Sequence, residues 1–104
     1  MKKITLTCAH AVVKYLIAQK ILINGKKEPL FPGVFGIFGH GNVACLGQAL
    51  EENQKDLPTY RGHHEQNMAL TGIGYARAKR RQQIFVATSS VGPGATNMVT
   101  AAAV

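Results

Sequence analysis

Three short extended stretches, 33–38, 57–60 and 83–88, each run through a loop into a helical pattern, and this repetition constrains the fold more than any other feature. In Gly33-Val-Phe-Gly-Ile-Phe38 the apolar residues do not alternate with polar ones, which suits a strand covered on both faces. Leu57 to Tyr60 reads as a briefer strand, and Gln83 to Thr88 as a third. Strands alternating with helices through short loops predict an α/β fold, a three-layer sandwich around a mostly parallel sheet. In such sheets ligands gather beyond the carboxyl ends of the strands.

The helices are legible from spacing. Thr7 is a suitable cap for a helix over about 8–20, with Ala11, Val12, Tyr15, Leu16 and Ala18 or Gln19 as its mostly apolar stripe. Asn42 is placed to cap a short helix over 43–50, after the glycine turn Phe38-Gly-His-Gly. A longer helix runs from Glu65 to about Lys79, where Gly72 and Gly74 each cost roughly 1 kcal/mol against alanine. A last helical pattern follows the small-residue loop Ser89-Ser-Val-Gly-Pro-Gly94. Asn24-Gly25 is a strong turn signal, Lys26 to Pro32 reads as a polar excursion, and Glu51 to Lys55 as a polar linker.

One domain is the most that 104 residues support. The final Thr100-Ala-Ala-Ala-Val104 has no polar, glycine or proline exit, so an incomplete domain is expected. Twelve Lys and Arg against five Asp and Glu give +7, yet the only real cluster is Arg77, Lys79, Arg80 and Arg81. It falls where a helix should end, a favourable site for cations, and no nucleic-acid motif accompanies it. Neither a nucleic-acid nor a membrane partner is expected. Cys8 and Cys45 lack metal or redox spacing, Cys45 reads as a small buried hydrophobe, and a reduced cytoplasmic setting is expected. The amino terminus carries neither a signal-peptide pattern nor a membrane span.

Glu65 is the residue of most chemical interest, since it stands where a strand-end loop becomes a helix. Two readings are open: a first-turn acid favoured by the helix dipole, or a carboxylate presented to a ligand at the sheet rim. A metal site at His63-His64-Glu65 is not expected, because three consecutive side chains do not converge on one ion. Ser89 and Ser90 lack a nucleophile-elbow pattern, and His10 reads as an exposed first-turn residue.

Taken together, Gly33-Val-Phe-Gly-Ile-Phe-Gly-His-Gly-Asn42, Tyr60-Arg-Gly-His-His-Glu-Gln66 and Thr88-Ser-Ser-Val-Gly-Pro-Gly-Ala-Thr-Asn97 resemble the pyrimidine-binding domain of thiamine-diphosphate enzymes, the acetolactate-synthase-like group. The resemblance covers nearly the whole chain and implies residues 1–104 as the amino-terminal part of that domain. It implies Glu65 as the catalytic, cofactor-activating glutamate, with Gly39, His40, Gly92 and Asn97 also at the cofactor and His40 and Gln66 near the substrate. Thiamine diphosphate is the implied cofactor; its diphosphate and Mg2+ belong to a domain with a Gly-Asp-Gly motif that this chain lacks. That domain would come from a second subunit, so a homodimer or homotetramer is implied.

Acetolactate synthases usually read Pro-Gly-Gly where this chain has Phe38-Gly39-His40. In Ile37-Phe-Gly-His-Gly-Asn-Val43, Gly47-Gln-Ala-Leu-Glu51 and Arg81 followed by Ser89-Ser-Val-Gly-Pro-Gly94 the chain more closely resembles a branch that hydrolyses a carbon–carbon bond in a cyclic diketone of polyol (myo-inositol) breakdown. A carboligase of the acetolactate type and a non-catalytic binding module remain the alternatives.

Overall fold

A computed structural model describes residues 5–39 and 43–103. Helix α1 (Cys8–Ala18) leads into the antiparallel pair β1 (Lys20–Ile23) and β2 (Lys26–Pro29). Strand β3 (Val34–Gly36) is followed, within the described residues, by a π-helical turn (Val43–Gly47) continuous with α2 (Gln48–Glu52). Then come β4 (Thr59–Arg61), α3 (Glu65–Ala78), β5 (Val86–Thr88) and α4 (Pro93–Ala102).

Strand β3 lies in the middle of a parallel sheet of order β4-β3-β5, in register Val34 with Thr59 and Val86, and Gly36 with Arg61 and Thr88. Alternation along β3 sends Val34 to one face and Phe35 to the other. Val34 joins Val13 of α1, Ala49 and Leu50 of α2, and Leu57 in the main core, with Val86 packed beside them. On the opposite face Phe35 stacks on Phe85 at 4.6 Å, and Tyr75 of α3 meets Phe85 edge-on at 4.7 Å. The three-layer α/β arrangement expected from the sequence is therefore present.

Several local expectations need correction. The polar excursion after Asn24-Gly25 is strand β2: Asn24 and Gly25 take φ of 52° and 81°, the tight turn that suits a two-residue hairpin. The buried face of α1 is Ala9, Val13, Leu16 and Ile17, while Val12 and Tyr15 are exposed. Both stripes have helical spacing, and only the position of the sheet selects between them. Helix α2 extends through Glu52, and the supposed linker includes buried Asn53, which donates to the Ala49 carbonyl at 2.7 Å and accepts from Lys14 at 3.2 Å. Cys45 is exposed rather than buried. The expected Asn42 cap lies outside the described residues.

Other expectations hold. Thr7 caps α1 by accepting from the His10 backbone N–H at 3.2 Å, and α3 begins at Glu65. Gly36 owes its place to packing: a Cβ there would lie 2.8 Å from the Phe38 ring, which folds back over it. The basic cluster ends α3, with Arg80 and Arg81 in the left-handed region at φ 55° and 64° and the Arg81 N–H donating to the Ala76 carbonyl at 2.7 Å.

His10, expected to be merely exposed, ties α1 to α2. Its Nε2 lies 2.5 Å from a Glu52 carboxylate oxygen and its Nδ1 2.7 Å from the Thr7 hydroxyl. An Nε2–H donating to Glu52, with Nδ1 accepting from Thr7, satisfies all three groups.

Two outcomes follow from this packing. Leu57 is fully buried, so Leu57→Ala should lower unfolding stability by about 2–5 kcal/mol, read from urea melts. The hydrogen bond from His10, followed by that from Gln48, lowers the Glu52 pKa below its ordinary 4.5. The ionised form is therefore favoured by folding, and its stabilisation is present above pH 4.5 and fades as pH falls through the lowered value. Glu52→Gln should reduce the melting temperature slightly near neutrality and not at all in strong acid; an equal deficit at both pH values would contradict the assignment.

Candidate active site

The three parallel strands end on one rim, and backbone hydrogen bonds carry their pairing into the loops beyond. The Ile37 N–H donates to the Thr88 carbonyl at 3.1 Å, and the Gly62 N–H to the Gly36 carbonyl at 3.2 Å. The loop after β3 touches the loop after β5, since a Cβ at Gly39 would lie 2.9 Å from the Ser90 Cβ. Gly39 also has φ 67°, a conformation that side chains disfavour, so both space and backbone call for glycine.

Glu65 is the first residue of α3, following His64 in an extended N-cap conformation without a side-chain cap. Its half-buried side chain reaches across to the loop before α4, where Ser90 Oγ donates to Oε2 at 3.1 Å. The carboxylate lies over Gly94, in the first turn of α4; any Cβ at that position would overlap it. The amino-terminal turns of two helices thus meet at one carboxylate, and both dipoles favour its negative charge. The two readings of Glu65 left open by the sequence describe the same geometry: a first-turn acid that also faces the rim.

The apolar surroundings expected from Val34 and Met68 are differently arranged. Val34 is in the main core, and the Met68 side chain covers Gly62, in the loop leading to Glu65. Gly92 is the N-cap of α4, adjoining the Ser90 loop. Gln66 is the second residue of α3 and Asn97 lies one turn into α4, both half-buried; no side-chain hydrogen bond joins either to Glu65. His40 lies outside the described residues.

Sequence reasoning missed three residues here. Ser90 was weighed as a nucleophile and is instead the donor to Glu65; Gly94 provides the floor beneath the carboxylate. The third is Arg61, the last residue of β4, which lines three adjoining cavities of about 420, 370 and 210 Å3. The first two share Phe38 and Val43 as apolar wall, and the second and third share Gly62 and His63. All three fall within the motifs that carry the family resemblance, but nothing in those motifs singles them out.

Among the described residues no group of three or more His, Cys, Asp or Glu side chains is gathered to hold a metal ion. None of the described helices is long and apolar enough to cross a membrane.

Comparison with known proteins gives the family. Residues 27–104 match the family described as thiamine pyrophosphate enzyme, N-terminal TPP binding domain. The chain is 54% identical over 103 residues to a 3D-(3,5/4)-trihydroxycyclohexane-1,2-dione hydrolase of Geobacillus thermodenitrificans, 50% to one of Clostridium tetani and 48% to one of Bacillus thuringiensis. In each case the match takes in 99% of this chain and 16% of the relative, so the chain spans about a sixth of the length of these proteins. No solved structure gives a significant match. A match over three quarters of its residues, on a parallel sheet whose rim presents Glu65, shows that the chain belongs to the thiamine pyrophosphate enzyme family as its N-terminal TPP-binding domain.

Proposed function

We propose that this chain forms the pyrimidine-binding part of a thiamine-diphosphate-dependent enzyme that hydrolyses a carbon–carbon bond in a cyclic 1,2-dione, with Glu65 as its catalytic acid. The names of its relatives support the reaction class. The observation that carries the role of Glu65 is its carboxylate at the sheet rim, held by Ser90 over Gly94.

The residues fit an aminopyrimidine. Oε2 of Glu65 is engaged by Ser90, while Oε1 has no partner among the described residues and can share a proton with a ring nitrogen. On the same rim a cavity of about 370 Å3 is lined by Gly36 to Gly39, Val43, Arg61, Gly62 and His63, and its Phe38, Val43 and glycine surfaces suit a flat heterocycle. When bound, thiamine diphosphate supplies a nucleophilic carbon and an electron sink for breaking bonds next to a carbonyl.

The remaining work falls to side chains. Glu65 holds and returns the proton, and Ser90 fixes the carboxylate so that one oxygen keeps a constant direction. Gly39 and Gly92 let backbone approach the cofactor, Asn97 lies on the same helix, and Gln66 and His40 are assigned to the substrate side. For a dione, hydrolysis places the hydroxyl of water on one carbonyl carbon, giving a carboxylate, and hydrogen on the other, giving an aldehyde. In this reading the diphosphate and Mg2+ are held by a diphosphate-binding domain of a second subunit in a homodimer or homotetramer. The substrate is a polyol-derived diketone of myo-inositol breakdown, and the setting is the cytoplasm.

Three measurements test the proposal. In an enzyme of the relatives' full length carrying this segment, Glu65→Gln should keep the fold and lose about 10²–10⁴ in turnover of the dione, the range for a proton-transfer group. Wild-type turnover by that variant would refute the role. Gly94→Ala, by displacing the carboxylate, should lower turnover while leaving Leu57 and its neighbours packed, which amide NMR spectra would report. The 104-residue chain alone should show no turnover, and calorimetry should find no tight, magnesium-dependent binding of thiamine diphosphate.

A further inference from the structure

The rim is almost without permanent positive charge, although the chain is strongly basic. Of the described lysines and arginines, Arg61 alone stands at the carboxyl end of a strand of the parallel sheet. The others lie on α1, on the β1–β2 hairpin, in the turn before β4 and around the carboxyl end of α3. The Arg61 side chain is exposed and has neither an ion-pair nor a hydrogen-bond partner among the described residues. It borders all three rim cavities, and His63, two residues on, borders two of them.

An arginine kept without a carboxylate partner, beside the cavity of about 370 Å3 whose other lining is glycine, Ile37, Phe38, Val43 and His63, is suited to an anion arriving from solution. Its planar fork of donors matches a carboxylate in two parallel hydrogen bonds, which an ammonium group cannot reproduce. Glu65 is held by Ser90 and Glu52 by His10; Glu51 lines the first cavity together with Arg61 but makes no ion pair with it, and no carboxylate lines the second.

We infer that Arg61 is a positioning residue for a carboxylate at this rim, and that the ligand it takes is a polyhydroxy acid. The inference rests on reading the rim as the catalytic face. Hydrolysis of an uncharged dione creates one carboxylate, so Arg61 discriminates the opened acid from the closed ring. It thereby favours the product side of the ring-opening step and makes the enzyme sensitive to product acid.

The test uses the 104-residue chain and NMR titration with glucuronate, a sugar acid, against glucose, its uncharged counterpart, at about 0.15 M salt, where long-range attraction is screened. Glucuronate should shift the Arg61 side-chain N–H and the amides of Gly62 and His63 saturably, and glucose should not. Arg61→Gln should weaken glucuronate binding at least tenfold, with Arg61→Lys intermediate. Shifts centred on Arg77 to Arg81 instead, equal responses to both sugars, or binding unchanged in Arg61→Gln would each overturn the inference. The wild-type map decides the matter without the variants should either fail to fold. Loss of the Glu65 role in the turnover assay would leave this titration standing, while a flat titration beside an inactive Glu65→Gln would remove Arg61 alone.

Discussion

Strand β3 is hydrogen-bonded on both sides, and the rest of the structure depends on that pairing. With β4 on one edge and β5 on the other, its three residues align the ends of all three strands. Pairing then continues from Gly36 and Thr88 into the loops, so the rim is set by backbone hydrogen bonds before any side chain contributes. This is why a strand of three residues suffices. Its stability comes from Val34 in one packed layer and Phe35 in the other.

Glu65 illustrates how one residue can be placed by the fold where the proposed chemistry needs it. A carboxylate at the first position of a helix relieves exposed N–H groups and suits the dipole. Because α3 and α4 both begin at the rim, the same carboxylate meets Gly94 of the neighbouring helix and Ser90 of the loop that leads into it. A group stabilised by two helix termini is fixed in direction, which suits the proton transfer proposed for it. Membership of the thiamine pyrophosphate enzyme family gives this geometry its context, and the chain spans about 16% of the length of the relatives it matches.

Much of this was legible in the sequence, and the failures have physical causes. The α/β alternation, the Thr7 cap and the start of α3 depend on local signals, and these survived. The buried face of α1 did not, because Val12 and Val13 are equally apolar and only the sheet decides between them. Strand β2 was hidden because its Lys26 and Lys27 sit on an exposed hairpin, where no apolar run is needed. The partner of Glu65 was also out of reach: Ser90 is 25 residues away, and nothing in a run of small residues says which one will face the carboxylate. Arg61 lies inside one of the motifs that carry the family resemblance, but the resemblance implied no role for it.

Gly39 and Ser90 meet across two loops with no room for a further carbon between them. Since Ser90 also holds Glu65, a change in the loop after β3 reaches the carboxylate through a single intermediate. Positions 39 and 90 are therefore epistatic: a bulkier residue at one is tolerable only with retreat at the other, and retreat by Ser90 releases Glu65. Sequence drift in that loop is thus constrained by a hydroxyl it never replaces.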